Sequence, residues 1–148
     1  MAWEEIEVFG EDHLDGCAGP YASVFSSEPW GEPWTPEKAR ERLAEIYYSP
    51  GFEGLVCVIG GEPVGLALGN RVRRAVGRGF FLHEFCVRVE MQGAGAGGRL
   101  LACLEGRLRE AGVGSVFLLT GFDTPARGFY AKNGYGEDTE MATMAKVL

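Results

Sequence analysis

Apolar residues recur along this chain with a period of two in some stretches and of three to four in others, and each change of period marks an element. Glu4 to Phe9 alternates weakly and predicts a first strand. Leu14, Cys17, Tyr21 and Phe25 then fall on one face of a helix, although Gly16 and Gly19-Pro20 weaken it. Glu28 to Trp34, a tandem Glu-Pro-Trp repeat, is a loop because each proline restricts the residue before it. Thr35-Pro36-Glu37 supplies a hydroxyl cap, a first-turn proline and an acid, and predicts a helix to about Tyr48, with Ala39, Leu43, Ile46 and Tyr47 as its stripe.

Phe52 to Ile59, Gly60-Gly61 and Glu62 to Leu68 read as a hairpin with a two-residue turn. Residues 70 to 79 carry Arg71, Arg73, Arg74 and Arg78 and read as a basic hairpin loop, either a solvated surface or a contact for an anion. In the strand from Phe80 to Val89, strict alternation puts His83, Phe85 and Val87 on one face and Leu82, Glu84 and Cys86 on the other. A helical stripe of Leu100, Leu101, Leu104, Leu108 and Ala111 starts near Arg99 and stops at Gly112. Ser115 to Thr120 reads as a buried strand, parallel to its neighbour. Thr124-Pro125 opens a short helix that Gly134 stops, and Met141 to Val147 predicts a last strand. No linker or second composition interrupts residues 1 to 148, so a single domain is expected.

Between the strand and the long helix lies Gln92-Gly93-Ala94-Gly95-Ala96-Gly97-Gly98. With almost no side chains, its backbone N–H groups are open to a polyanion, and the following helix aims its positive end at the same point. Gly93, Gly95 and Gly98 also satisfy G-x-G-x-x-G, but a dinucleotide fold needs an acid about 20 residues later and several more βα units. Around position 118 the chain reads Phe-Leu-Leu-Thr, and no Lys-Ser/Thr pair follows the glycines, which argues against a Walker loop as well.

Composition narrows the setting. Cys17, Cys57, Cys86 and Cys103 are far apart and form no C-x-x-C pair, so buried reduced thiols are expected and no metal site. The N-terminus, Met-Ala-Trp-Glu-Glu, has neither the basic nor the apolar part of a leader, and no apolar run is long enough for a membrane span, so a cytoplasmic protein is expected. Net charge is −7, which disfavours nucleic acid and acidic membranes and suits a cationic partner, or serves solubility alone. Glu28, Glu32, Trp30 and Trp34 in one loop suit a cationic amine; the alternative is that the rings plug the core edge while the acids face water.

Read as Gln92-x-x-Gly95-x-Gly97, the loop resembles the acyl-CoA pyrophosphate loop of the GNAT N-acetyltransferases, among them the aminoglycoside acetyltransferases. Ala126-x-x-Phe129-Tyr130-x-x-x-Gly134-Tyr135 resembles that family's second motif, and the flanking strands and helix agree in order over residues 80 to 135. The resemblance implies an α+β fold: a central mixed, mostly antiparallel sheet with two splayed parallel strands and helices on both faces. It implies acetyl-CoA between the splayed strands, with N–H groups of Gly93, Ala94, Gly95, Ala96, Gly97 and Gly98 and the Gln92 side chain on the pyrophosphate, and main-chain groups of Phe85, Cys86 and Val87 on pantetheine. Asp123 stands where the family often has a pantetheine-contacting asparagine, and Val89 where it often has proline.

The implied reaction needs a neutral amine, and an alkylamine is only about 0.04% neutral at pH 7, so a base within reach is the usual answer. Glu84 is the first choice, because relatives place a base on this strand, and His83 the second; either is otherwise a paired or edge polar residue. Tyr130 stands where the family commonly protonates the departing thiolate, and is otherwise a core tyrosine beside Phe129. The expected acceptor is a small cationic amine, an aminoglycoside first and then a polyamine or amino-acid-like amine, held by Glu28, Trp30, Glu32, Trp34 and His83; Glu137, Asp138 and Glu140 stand near the C-terminus, where many relatives complete the acceptor pocket. A protein or peptide amine and a non-catalytic acyl-CoA sensor are the alternatives. Many relatives form homodimers.

Overall fold

A computed structural model of the protein describes residues 3–148; Met1 and Ala2, the start of the stretch read above for a leader, lie outside the described residues. Strands β1 (Glu4–Val8), β2 (Phe52–Ile59), β3 (Glu62–Arg73), β4 (Arg78–Val87) and β5 (Ser115–Phe117) form one sheet in sequence order. The first four pair antiparallel; β5 pairs parallel to β4, through Gly79, Phe80 and Phe81 only. Helices α1 (His13–Ser26) and α2 (Pro36–Tyr47) cover one face, and α3 (Ala96–Glu110) covers the other, with α4 (Pro125–Lys132) following β5.

The two faces explain why the central strands read as continuous apolar runs. Val56, Val58, Leu66 and Leu68 bury against Leu14, Tyr21 and Leu43 of α1 and α2, while Leu55, Cys57 and Ala67 bury against Leu100, Leu104 and Leu108 of α3. A strand covered on both sides gains from an apolar residue at every position, so alternation disappears. Thr35 caps α2 as its position suggests, its hydroxyl accepting from the Lys38 N–H at 3.2 Å. The Gly60-Gly61 turn has positive φ at both residues, 59° and 81°, the conformation a two-residue hairpin requires.

Five expectations need correction. β3 runs on to Arg73 and β4 starts at Arg78, so Arg71 and Arg73 are strand residues and only four residues form the loop. α3 starts at Ala96 rather than near Arg99, which puts Gly97 and Gly98 in its first turn. β5 stops at Phe117, short of Thr120. Met141 to Val147 forms no strand; residues 136–148 are exposed and in no regular element.

The fifth concerns β4. Leu68 pairs with Glu84 and Gly69 with Leu82, so His83 is an extra residue, a β-bulge, and the alternation flips there. Phe80 and Leu82 face α3, but so does Phe85; Glu84 and Cys86 face α1 and α2. Phe81 and His83, their rings 4.4 Å apart, precede the flip on the α1/α2 side. The two titratable residues therefore share a face instead of dividing between two.

Gly69 permits the bulge. A Cβ there would fall on the Phe81 carbonyl oxygen and 2.6 Å from Cζ of the fully buried Phe80. Neither can retreat without breaking the sheet, so Gly69→Ala is expected to destabilise the fold by about 2–3 kcal/mol, measured as a lower denaturant midpoint at unchanged m-value.

Candidate active site

The site begins where the sheet opens. Pairing between β4 and β5 ends at Phe81, so β4 from Leu82 to Val87 has no strand beside it on that edge. The Arg88 N–H donates to Val64 of β3 at 2.7 Å, and direction alternates along a strand. The main-chain groups of Phe85 and Val87 therefore face the gap. Phe129 of α4 stacks on Phe85 with centroids 5.3 Å apart, and Tyr130 meets the same ring edge-on at 6.1 Å. These aromatics floor the gap.

At one end lies the glycine loop. A single 3₁₀ turn, Val89–Met91, leads from β4 into it, and Gly93 and Gly95 take φ of 83° and 86°, which a residue with a side chain rarely adopts. The first N–H of α3 to find a helical partner is that of Arg99, on Gly95 O at 3.1 Å; no side chain caps the helix and no acid sits in its first turn. The N–H groups of Ala96, Gly97 and Gly98 are left for an anion at the positive end of the dipole. Gly97 also sits close to α4: a Cβ there would come 3.3 Å from Phe129 Cε1, so the ring would have to give by a few tenths of an ångström.

Gln92 holds the loop to the strand: its side-chain N–H donates to Val87 O at 2.9 Å. Arg99, which the sequence reading passed over, braces it from below. It donates to both carboxylate oxygens of Glu4, at 2.6 and 2.7 Å, and to Ala94 O at 3.3 Å. That pair holds the Glu4 carboxyl below its ordinary pKa.

Glu84 and His83 lie on the α1/α2 side of the gap. Arg42 Nε donates to Glu84 Oε1 at 3.1 Å, and the largely buried carboxyl is pushed up by desolvation, partly offset by Arg42 and the Tyr21 hydroxyl. His83 Nε2 lies 2.8 Å from Asn70 Oδ1, a contact that needs the proton on Nε2 and leaves Nδ1 as an acceptor. Burial and the Arg42 charge lower its pKa and favour neutral imidazole. Burial raises the Tyr130 phenol, helped by the nearby Cys86 and Glu84, so it stays protonated; its hydroxyl has no hydrogen bond among the described residues. Arg42, Tyr21 and Asn70 have no sequence signal that separates them from any helix or strand polar residue.

The acceptor-loop residues divide. Trp34 meets Tyr21 edge-on at 5.2 Å and Trp30 meets Phe25 at 5.3 Å, so both rings pack on the core edge. Trp34 Nε1 is nonetheless buried without a partner among the described residues. Glu28 and Glu32 are exposed, and the charge of Glu32 reaches Glu84. Asp123 is exposed in the turn before α4. Among the described residues no cluster of three metal-ligating side chains forms, and no helix is long and apolar enough to cross a membrane.

The sequence profile of the Acetyltransferase (GNAT) family matches residues 22–135. The chain belongs to this GNAT family. Solved structures agree on the fold. A probable acetyltransferase superposes with a TM-score of 0.79 at 20% identity, over 97% of each chain. The aminoglycoside N-acetyltransferase AAC(6')-Iy in complex with CoA gives 0.76 at 14% identity, over 99% of this chain and 96% of that one. An aminoglycoside acetyltransferase from an uncultured soil metagenomic sample, in complex with sisomicin, gives 0.77 at 17%, over 98% and 96%. No curated protein matches by sequence. The GNAT family uses acetyl-CoA, and the open edge of β4, the uncapped start of α3 and the glycine loop between them fit its amide arm and pyrophosphate.

The Arg42–Glu84 pair makes a prediction about stability. A carboxyl whose folded pKa lies above its unfolded one favours folding below the unfolded pKa and loses that contribution as pH rises through the folded value. Arg42→Leu removes the offset and raises Glu84 further. The variant is expected to lose about 1–2 kcal/mol near pH 7, limited by water screening of the guanidinium, and distinctly less near pH 4, measured by denaturation at both.

Proposed function

We propose that this GNAT acetyltransferase moves the acetyl group of acetyl-CoA to a primary amine of a small cationic acceptor, with aminoglycosides ahead of polyamines and amino-acid-like amines. The bulge carries this reading. It sets Glu84 and His83 on one face, where the charge of the exposed Glu32 reaches Glu84, next to the gap floored by Tyr130. A polyamine-like ligand entering there meets carboxylates at each step, and the two solved aminoglycoside acetyltransferases share the fold. The four cysteines are unpaired, in keeping with a reducing cytoplasm where acetyl-CoA is made.

In the proposed chemistry Glu84 takes a proton from the incoming ammonium, directly or through a water. The freed nitrogen attacks the thioester carbonyl, whose oxygen is met by a β4 N–H facing the gap. As the C–S bond breaks, the Tyr130 hydroxyl donates its proton to the leaving sulfur; the nitrogen, cationic once it has bonded to the carbonyl carbon, gives up a second proton that returns through solvent to Tyr130, and Glu84 releases the first to solvent. Burial suits both residues: it brings the Glu84 pKa nearer to neutrality and keeps the phenol protonated until it is needed. Glu28, Glu32 and His83 orient the acceptor, and Trp30 and Trp34 form the wall of its pocket.

The direct experiment is release of CoA thiol from acetyl-CoA against aminoglycosides, polyamines, amino acids and peptide amines. Dependence on one of the first three classes is the expected result; dependence on peptide amines alone would move the acceptor to proteins. Tyr130→Phe is expected to lower kcat by about 100-fold or more with acetyl-CoA affinity retained by calorimetry, and an unchanged rate would remove it from the chemistry. Glu84→Gln is expected to cost a similar factor and to abolish an acid limb that in the wild type lies above the ordinary carboxylate range, because ionisation of a raised carboxyl switches the base on.

A further inference from the structure

Two arginines flank the glycine loop, and only one of them has its partner. Arg99 grips the Glu4 carboxylate side-on, Nε and Nη2 each donating to one oxygen, at 2.7 and 2.6 Å. That edge of a guanidinium matches a carboxylate or a phosphate, two parallel bonds at once. The same edge of Arg88 is empty. Its Nε is buried without a partner among the described residues, and its side chain makes no hydrogen bond among them. Glu90 Oε1 comes to 3.6 Å, too far for a hydrogen bond, and lies against Nη1, outside that edge. A buried charged donor left unpaired is costly, so the position implies a partner from elsewhere.

There is room for one. A cavity of about 250 Å³ lies between α1 and the end of β4, with Gly19, Pro20 and Ser23 on one wall and Arg88, Val89 and Glu90 on the other. A Cβ on Gly19 would meet nothing within 4 Å, so α1 opens onto free space there. Ser23 adds a hydroxyl that makes no hydrogen bond among the described residues. Phe85, Val87, Phe129 and Tyr130, which shape the acetyl-transfer gap, take no part in these walls.

The walls select the occupant. A cation is repelled by Arg88, and a neutral ligand leaves the guanidinium charge uncompensated where water is largely excluded. An oxyanion meets Nε and Nη2 together, and the Ser23 hydroxyl can donate to a remaining oxygen. Its position also gives it an effect. Arg88 is where β4 becomes the loop: its N–H donates to Val64 O at 2.7 Å, its carbonyl accepts the Met91 N–H at 2.9 Å, and the Gln92 N–H follows on Val89 O at 3.2 Å. A ligand held between Arg88 and α1 fixes the base of the turn from which Gln92 and the glycines start.

We propose that this cavity is a separate binding site for one small oxyanion, a carboxylate or phosphate group held by Nε and Nη2 of Arg88 and the Ser23 hydroxyl, and that its occupant braces the glycine loop from the α1 side. The site does not depend on which amine is acetylated.

The Nε–H signal of Arg88 in the magnetic resonance spectrum of the isotope-labelled full chain reports the contact directly. CoA is kept saturating, so that the glycine cradle is filled, while sodium acetate or sodium phosphate replaces sodium chloride at constant ionic strength. A saturable shift of the Arg88 Nε–H and Ser23 amide signals is expected with at least one of the two anions, and the one that saturates names the head group. Arg88→Gln removes the fork, and Gly19→Leu fills the cavity at a helical position that tolerates leucine; each is expected to weaken the anion, read at the Ser23 amide, at least about tenfold. By linkage, that anion is expected to tighten acetyl-CoA about fivefold more in the wild type than in Arg88→Gln, a comparison in which competition at the cradle cancels. No saturable shift with either anion, a Ser23 shift that survives both variants, or equal effects on acetyl-CoA in wild type and Arg88→Gln would each overturn the proposal.

Discussion

Parallel pairing between β4 and β5 lasts for three residues and then fails, and the site exists because it fails. Beyond Phe81 the rings of Phe129 and Tyr130 occupy the space under β4 on one face, while β5 ends and the chain turns away through Gly121. Backbone polar groups in a buried sheet are normally all spoken for, since an unmade hydrogen bond there costs on the order of 1–3 kcal/mol. Here those of Phe85 and the N–H of Val87 face the gap without a strand partner, while Gln92 takes the Val87 carbonyl. A ligand with amides along its length recovers what the missing strand would have supplied.

The same strand also sets the electrostatics. One extra residue in β4, made possible by Gly69, turns Glu84 toward α2 and leaves His83 on the same side. Burial alone would drive the carboxyl to its neutral form; Arg42, reaching across from α2, keeps ionisation within reach. The opposition of desolvation and one partly exposed guanidinium leaves a group able to change protonation without being buried as a stranded charge.

The glycines of the loop do two jobs at once. Gly93 and Gly95 give the backbone its left-handed turns, and Gly97 lets Phe129 come against the first turn of α3. The anion end of the site and its aromatic floor are therefore mechanically joined. Arg99 completes the arrangement by tying the loop to β1, 95 residues away in sequence.

Local chemistry made much of this legible in the residues alone. The glycine loop, the Thr35 cap, the Gly60-Gly61 turn, the apolar stripes and the Phe129-Tyr130 motif each act over a few residues, and the family they resemble is the one to which the chain belongs. What escaped depends on partners distant in sequence. The bulge at His83 is a mismatch between β3 and β4 and overturned the assignment of faces; Arg42, Asn70 and Arg99 matter only through what lies across from them; and the length of β5 is set by its pairing with β4, which ends at Phe81. The residues from 141 to 147 show the limit most clearly, because a strand pattern states what a segment can pair with, and pairing itself needs an edge that only the tertiary arrangement provides.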